Sequence, residues 1–113
     1  MLGLFADDGM TTFDPEPPLA EMAKTAIDLL STRSKEWFAP APRFFMMIEG
    51  SQIDWACHSN NTENAVRQIL LFDMAVKEAI EFAQRDKQTL VIVTADHETG
   101  GLLIKSEDNK IAA

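Results

Sequence analysis

Apolar side chains recur at helical spacing in the stretch FDPEPPLAEMAKTAIDLLS, near the start of the chain. Pro17 and Pro18 suit the first turn of a helix, where a missing backbone N–H removes no hydrogen bond. The apolar members of the repeat are Met22, Ala23, Ala26, Ile27, Leu29 and Leu30. This spacing predicts a helix region over 14–31, followed by a loop over 32–42 in which two prolines interrupt the pattern.

Two short runs, RFFMMIEG and TLVIVT, are apolar without alternation, as expected of strands that are covered on both faces. The first run occupies residues 43–50 and the second occupies residues 89–94. TLVIVT is also rich in β-branched residues, which favour strands. We therefore predict a buried strand in each run.

The longest periodic stretch lies between these runs, over residues 62–85. Its apolar stripe consists of Val66, Ile69, Leu70, Val76, Ala79, Ile80 and Ala83, widened by Phe72 and Phe82. Asn60 and Glu63 resemble the pair of capping residues found at helix starts. The pattern predicts a long amphipathic helix.

A strand, a helix and a strand in this order, over 43–101, are typical of a βαβ unit with parallel strands and a right-handed crossover. The sequence therefore predicts an α/β fold. Parallel strands end at the same edge of a sheet, and ligands bind at that edge. Glu49 lies at the end of the first strand, and Asp96 and His97 follow the second. We expect all three side chains at one crevice.

Chain length, net charge and cysteine content limit the kinds of fold and binding partner that are expected. The chain has 113 residues, of which 46% are hydrophobic, so it can bury a modest core. Its net charge of −8 argues against nucleic acid or an anionic membrane surface as a partner. It contains no apolar run of about eighteen residues, the length that a membrane-spanning helix needs. Its single cysteine, Cys57, excludes an internal disulfide.

Asp54 and His58, four residues apart, join the residues of the predicted sheet edge as candidates for metal binding. One helical turn would place both on the same side. Carboxylate oxygen combined with imidazole nitrogen suits zinc, whereas positions with carboxylate alone suit magnesium. Crowded carboxylates repel one another unless cations lie among them. The candidate metal ligands are Glu49, Asp54, His58, Asp96 and His97.

Each of these groups has a structural explanation when it is taken alone. An aspartate four residues before a histidine is typical of a hydrogen-bonded or capping pair. Asp96 and His97 also suit a cap on the turn that follows, and Glu49 before Gly50 suits an ordinary turn acid. Only their shared location favours a metal site. A non-catalytic α/β domain therefore stays open as an alternative at this point.

The stretches MIEGSQIDWACH and TLVIVTADHETGG, with LLFDMAV between them, resemble the C-terminal half of the alkaline phosphatases. LGLFADDGM at the start of the chain, and PPLAEMAKTAIDLLS after it, also resemble that family. The resemblance covers nearly the whole chain. It implies that residues 1–113 form a single partial domain, a βαβ-containing fragment of a three-layer alkaline-phosphatase-like fold with parallel strands.

The resemblance also implies a role for each candidate ligand. Glu49 resembles the magnesium ligand of the family, and Asp54 and His58 resemble two ligands of the first zinc. Asp96 and His97 resemble two ligands of the second zinc. In the family, two zinc ions hold a phosphate monoester while a serine attacks phosphorus, and a zinc-bound hydroxide then hydrolyses the phosphoserine.

The family's nucleophilic serine has no counterpart in this chain. The bridging aspartate, the magnesium-binding threonine, the phosphate-binding arginine and a further zinc-binding histidine are also unmatched. We therefore expect a segment of a phosphatase that has no catalytic nucleophile of its own and is inactive alone. A phosphodiesterase, a sulfatase or a phosphoglycerate mutase relative is the alternative within metal-dependent hydrolases.

The resemblance further implies the partners and the location of the protein. The expected partners are a phosphate monoester and the remainder of the parent chain, with no nucleic acid and no membrane. Apolar surface left uncovered in the segment predicts self-association. Family membership suggests a periplasmic or secreted protein.

Overall fold

The computed structural model describes residues 5–7, 9–10, 15–32 and 44–101. Within these ranges the chain forms three helices, α1 at Leu19–Thr32, α2 at Ser51–His58 and α3 at Thr62–Asp86. α3 packs against both α1 and α2 and so organises the described part of the chain. None of these helices combines the length and the apolar character needed to cross a membrane. The loop predicted over 32–42 falls outside the described ranges, apart from the last residue of α1.

The helix predicted over 14–31 corresponds to α1, although α1 begins later than predicted. The carbonyl of Pro18 accepts a hydrogen bond from the backbone N–H of Glu21 at 3.0 Å, within the first turn. The prolines therefore lie just before the helix, where they remove no helical hydrogen bond. Ala23 and Ile27, which are one helical turn apart, are the buried residues of α1. The helical spacing thus identified the face of α1 that packs.

The helix predicted over 62–85 corresponds closely to α3. The side chain of Asn61 caps its start, because its carbonyl oxygen accepts a hydrogen bond from the backbone N–H of Asn64 at 3.0 Å. The cap is therefore one residue later than Asn60, the residue predicted to fill this role. α3 ends at Asp86, and Lys87, which caps it, adopts the left-handed conformation with a φ of 65°. Both ends of α3 are defined by residues within a few positions of the helix.

The buried core of the described residues is small and consists mostly of alanine. Its members are Ala23, Ile27, Ala56, Ala65, Gln68 and Ala75. None of the residues in the apolar stripe predicted along α3 belongs to this core, because the buried residues of α3 are Ala65, Gln68 and Ala75. Val66, Ile69, Leu70 and Ile80 are between 42% and 62% exposed. α1 and α2 therefore leave much of the predicted stripe of α3 uncovered.

The predicted α/β fold is wrong for the part of the chain that the structure describes. The two runs predicted as strands are here named the first apolar segment (43–50, of which the structure describes 44–50) and the second apolar segment (89–94), and their described residues contain no strand. Among the described residues, no backbone hydrogen bond joins the two segments. An apolar run indicates which side chains avoid water, but a strand exists only where a second backbone supplies its hydrogen-bond partners. The parallel βαβ unit and its sheet edge therefore have no counterpart in the described structure.

The first apolar segment has a partly covered side and an uncovered side, whereas the second is exposed at most of its residues. The ring of Phe44 in the first segment lies 6.0 Å from the ring of Phe82 on α3, measured between ring centroids. The next residue, Phe45, is 92% exposed. The most exposed large apolar side chains of the two segments are Phe45, Met47, Leu90 and Ile92. α3 therefore covers part of the first segment, whereas Val93 of the second segment is also 55% exposed.

Candidate metal-binding site

Asp54 and His58 lie one turn apart on α2. The Oδ1 atom of Asp54 lies 3.5 Å from Nε2 of His58. A charge-assisted hydrogen bond closes to about 2.7–2.9 Å, so the two groups do not form a tight pair. Their side chains are 41% and 68% exposed, respectively. The helix thus presents one oxygen and one nitrogen side by side and open to solvent.

Asp96 and His97 follow the second apolar segment and are adjacent in sequence. The Oδ2 atom of Asp96 lies 3.4 Å from Nε2 of His97, and its Oδ1 atom accepts a hydrogen bond from the backbone N–H of His97 at 3.0 Å. Both side chains are more than half exposed. Asp96 and His97 therefore form a second oxygen–nitrogen pair. The distance between its two atoms is almost equal to that between Oδ1 of Asp54 and Nε2 of His58.

The carbonyl of Glu98 determines which nitrogen of His97 carries the hydrogen. Nδ1 of His97 lies 2.9 Å from this carbonyl oxygen, which can only accept. This hydrogen bond raises the pKa of His97 above its usual value, and the negative charge of Asp96 acts in the same direction. Nδ1 therefore donates, and in the neutral ring Nε2 keeps its lone pair. Nε2 is the nitrogen that faces Asp96, and in the neutral ring it is the nitrogen whose lone pair could bind a metal ion.

Thr99 joins the two pairs. Its Oγ1 atom lies 3.0 Å from Oδ1 of Asp54 and 3.1 Å from Nδ1 of His97. Asp54 and His97 therefore stand on either side of one hydroxyl, although they are distant in sequence. Thr99 was not among the predicted site residues, because a threonine hydroxyl is not a preferred ligand of zinc. Its place within DHETGG, three residues after Asp96, was the only available signal.

Gly100 places Thr99 against α2. Its backbone has a φ of +76°, and a Cβ atom added to it would lie 2.6 Å from the carbonyl oxygen of Cys57. The turn therefore approaches the C-terminal end of α2 more closely than a residue with a side chain allows. Gly101 has a φ of +65°, but no atom lies within 4 Å of an added Cβ. Of the two glycines, Gly100 is therefore the one that the close contact with Cys57 requires.

Glu49 stands apart from the other candidates. It is exposed at the end of the first apolar segment, and no hydrogen bond or ion pair joins it to the other four residues in the described structure. Across the described ranges, no three His, Cys, Asp or Glu side chains form a group that could hold a metal ion. The structure thus brings the candidates together as two adjacent pairs and leaves Glu49 outside them.

Comparison with known proteins identifies the family. The whole chain, residues 1–113, matches the family model described as alkaline phosphatase. Alkaline phosphatase 4 of Bacillus subtilis is 47% identical over 97% of this chain, and alkaline phosphatase 3 of the same organism is 46% identical over 95%. The repressible alkaline phosphatase of Saccharomyces cerevisiae is 42% identical over 90%. The chain therefore belongs to the alkaline phosphatase family, as its resemblance predicted.

The chain corresponds to only part of these relatives. It spans 23%, 22% and 19% of the lengths of the three proteins, respectively. No solved structure matches the chain. The family is thus established by sequence over the full length of this chain.

Proposed function

We propose that this chain is part of a metal-dependent alkaline phosphatase that hydrolyses phosphate monoesters. The family match over residues 1–113 carries this proposal. Because the chain spans only about a fifth of its relatives, we assign the activity to a full-length protein that carries this chain. The chain contains no match to the nucleophilic serine of the family, so the isolated 113 residues are expected to be inactive.

The spacing of the two pairs supports a role in zinc binding. Two ligands of one tetrahedral zinc, each about 2.0–2.1 Å from the metal, lie about 3.3 Å from one another. The oxygen and nitrogen atoms of the two pairs are 3.5 and 3.4 Å apart. Each pair also combines carboxylate with imidazole, a combination that suits zinc. The donor sets therefore fit two zinc ions, and the lone carboxylate of Glu49 fits a magnesium ion.

Each pair supplies only part of a site. A catalytic zinc ion has three protein ligands, whereas each pair contributes two. We propose that the remaining ligands come from the rest of the full-length protein. Zinc held by these residues would supply positive charge that stabilises the phosphate during hydrolysis. In this proposal, Asp54, His58, Asp96 and His97 would hold the zinc ions together with those remaining ligands.

The uncovered sides of the apolar segments support self-association of the isolated chain. Phe45, Met47, Leu90 and Ile92 are between 75% and 92% exposed, and such apolar surface favours association. Sedimentation of the isolated chain at increasing concentration tests this, since a monomer at all concentrations would contradict it. A periplasmic or secreted location, which the resemblance implies, stays a prediction.

Hydrolysis of p-nitrophenyl phosphate by the full-length protein tests the proposed function. We expect activity that is lost on chelation and restored by zinc and magnesium together. His58→Ala and His97→Ala should each lower kcat/KM at least about a hundredfold, because each removes one zinc ligand.

Glu81→Ala is the matched control for these substitutions. Glu81 forms an exposed pair with Lys77 on α3 at the same four-residue spacing as Asp54 and His58, but the lysine supplies no ligand to a metal. Its loss should leave kcat/KM unchanged. A full-length protein that is inactive with both metals supplied, or histidine variants as active as Glu81→Ala, would show that the proposed function is wrong.

A further inference from the structure

We propose that Thr99 is a positioning residue whose hydroxyl orients one ligand of each zinc pair, Asp54 and His97. The inference rests on the proposed function, since it assigns Thr99 to the same metal site. Thr99 does not bind the metal itself in this account. It acts through the carboxylate of Asp54 and the imidazole of His97.

The hydrogen-bond donors around Thr99 leave one consistent assignment. Nδ1 of His97 donates to the carbonyl of Glu98 at 2.9 Å, so it cannot also accept a hydrogen bond from the hydroxyl of Thr99. The Thr99 hydroxyl therefore directs its own hydrogen to Oδ1 of Asp54, 3.0 Å away. Its oxygen remains beside the N–H of His97 as a second acceptor, at 3.1 Å.

This arrangement constrains both ligands at once. The hydrogen bond to Oδ1 limits rotation of the Asp54 carboxylate, whose Oδ1 atom also faces His58. The contact at Nδ1 helps to hold the ring of His97 with Nε2 towards Asp96. Groups that fix the orientation of metal ligands in this way typically contribute a factor of about 10 to 100 in metal affinity or activity.

The position of Thr99 is itself fixed by the fold. Thr99 is half-buried, and the residue after it approaches the carbonyl oxygen of Cys57 on α2 closely. The turn that carries Thr99 is therefore seated on the helix that carries Asp54. The hydroxyl lies between the two pairs because of this contact.

Thr99→Val and Thr99→Ser in the full-length protein test the inference. Valine keeps the shape of threonine and removes the hydroxyl, whereas serine keeps the hydroxyl and removes the methyl group. The readout is the Kd for Zn²⁺, measured by competition with a chelator of known affinity. We expect a Kd about 10 to 100 times higher for Thr99→Val and one within about threefold of wild type for Thr99→Ser. Thr32→Val, which removes a hydroxyl bonded to a carbonyl within α1, is the matched control and should leave the Kd unchanged.

Thermal unfolding separates positioning from a purely structural role. In the metal-free state, we expect Thr99→Val to melt near the wild-type temperature and to lose only part of the rise in Tm that zinc produces. If Thr99→Val destabilises the metal-free protein as much as the zinc-bound protein, the role is structural and the inference is wrong. The inference is also wrong if Thr99→Val binds zinc like wild type, or if Thr99→Ser loses as much affinity as Thr99→Val.

These measurements distinguish the inference from the proposed function. Zinc affinity is read without any substrate, whereas the proposed function is judged by hydrolysis of p-nitrophenyl phosphate by the wild-type protein. An inactive wild type whose zinc affinity still depends on the Thr99 hydroxyl contradicts the phosphatase activity and supports the positioning role. An active wild type with no dependence on the hydroxyl contradicts the positioning role alone.

Discussion

α3 and the apolar segments on either side of it are held in place in different ways. α3 makes its backbone hydrogen bonds within itself, and its ends are defined by Asn61 and Lys87. The first apolar segment contacts α3 through Phe44 and Phe82, and the turn after the second is seated on α2 through Gly100. The helix thus depends on local interactions, whereas the segments depend on a few contacts with distant residues. Single substitutions should therefore have larger effects at the segment contacts than at the helix ends.

The largest expected effect is at the contact between the first apolar segment and α3. Phe44→Ala removes a half-buried ring packed against Phe82, and we expect a loss of about 2–3 kcal/mol in the free energy of unfolding. Phe45→Ala, the matched control, removes a ring that is 92% exposed and should change stability by less than about 0.5 kcal/mol. Urea unfolding of the two variants provides the comparison. Equal losses of unfolding free energy in the two variants would contradict the contact between Phe44 and Phe82.

A substitution in the turn after the second apolar segment should lower the free energy of unfolding almost as much. Gly100→Ala places a Cβ against the carbonyl of Cys57 in addition to the left-handed backbone, so we expect a loss of about 2 kcal/mol. Gly101→Ala has only the backbone penalty and should cost about 1 kcal/mol. Unfolding free energies of the two variants test whether the close approach exists. If the two losses are equal, the turn is not seated on α2.

The start of α3 should show a smaller effect. Asn61→Ala removes the side chain that accepts from the N–H of Asn64, and we expect a loss of about 1 kcal/mol. Asn61→Asp keeps an acceptor at the same place and should stay close to wild type. Circular dichroism during urea unfolding measures both variants. A loss in Asn61→Asp as large as that in Asn61→Ala would mean that the cap does not stabilise the helix.

The smallest effect is expected at the end of α3, and its sign is opposite. Lys87 has a φ of 65°, a conformation that glycine adopts without strain. Lys87→Gly should therefore raise the free energy of unfolding by about 0.5 kcal/mol. Gln88→Gly, one residue later, carries no such benefit and serves as the control. A decrease in stability for Lys87→Gly would contradict the left-handed end of the helix.

The difference between local and distant contacts also explains why the sequence predicted the helices correctly and the strands incorrectly. α1 and α3 were found because helical spacing and nearby capping residues determine a helix locally. The two predicted strands were wrong because the apolar residues of 43–50 and 89–94 indicate burial and do not specify a backbone partner. The structure of the described residues shows that one side of the first segment remains uncovered and that the second is exposed at most of its residues.

The candidate site was predictable in residue type and only partly in arrangement. The four-residue spacing of Asp54 and His58 placed them on one side of a helical turn, and α2 has this geometry. The proximity of Asp54 to His97 was expected from a shared sheet edge, but in the structure it comes from the turn at Thr99 and Gly100. A positive φ and a close backbone contact leave no periodic signal in the sequence. The bridging hydroxyl therefore had to be seen in the structure.

The central claim is that the two oxygen–nitrogen pairs bind zinc in a full-length alkaline phosphatase. Anomalous diffraction at the zinc absorption edge, from crystals of the full-length protein grown with zinc, tests it most directly. We predict two zinc peaks, one within about 2.1 Å of Nε2 of His58 and the other within about 2.1 Å of Nε2 of His97. Zinc bound elsewhere, with both histidines away from any peak, would contradict the claim.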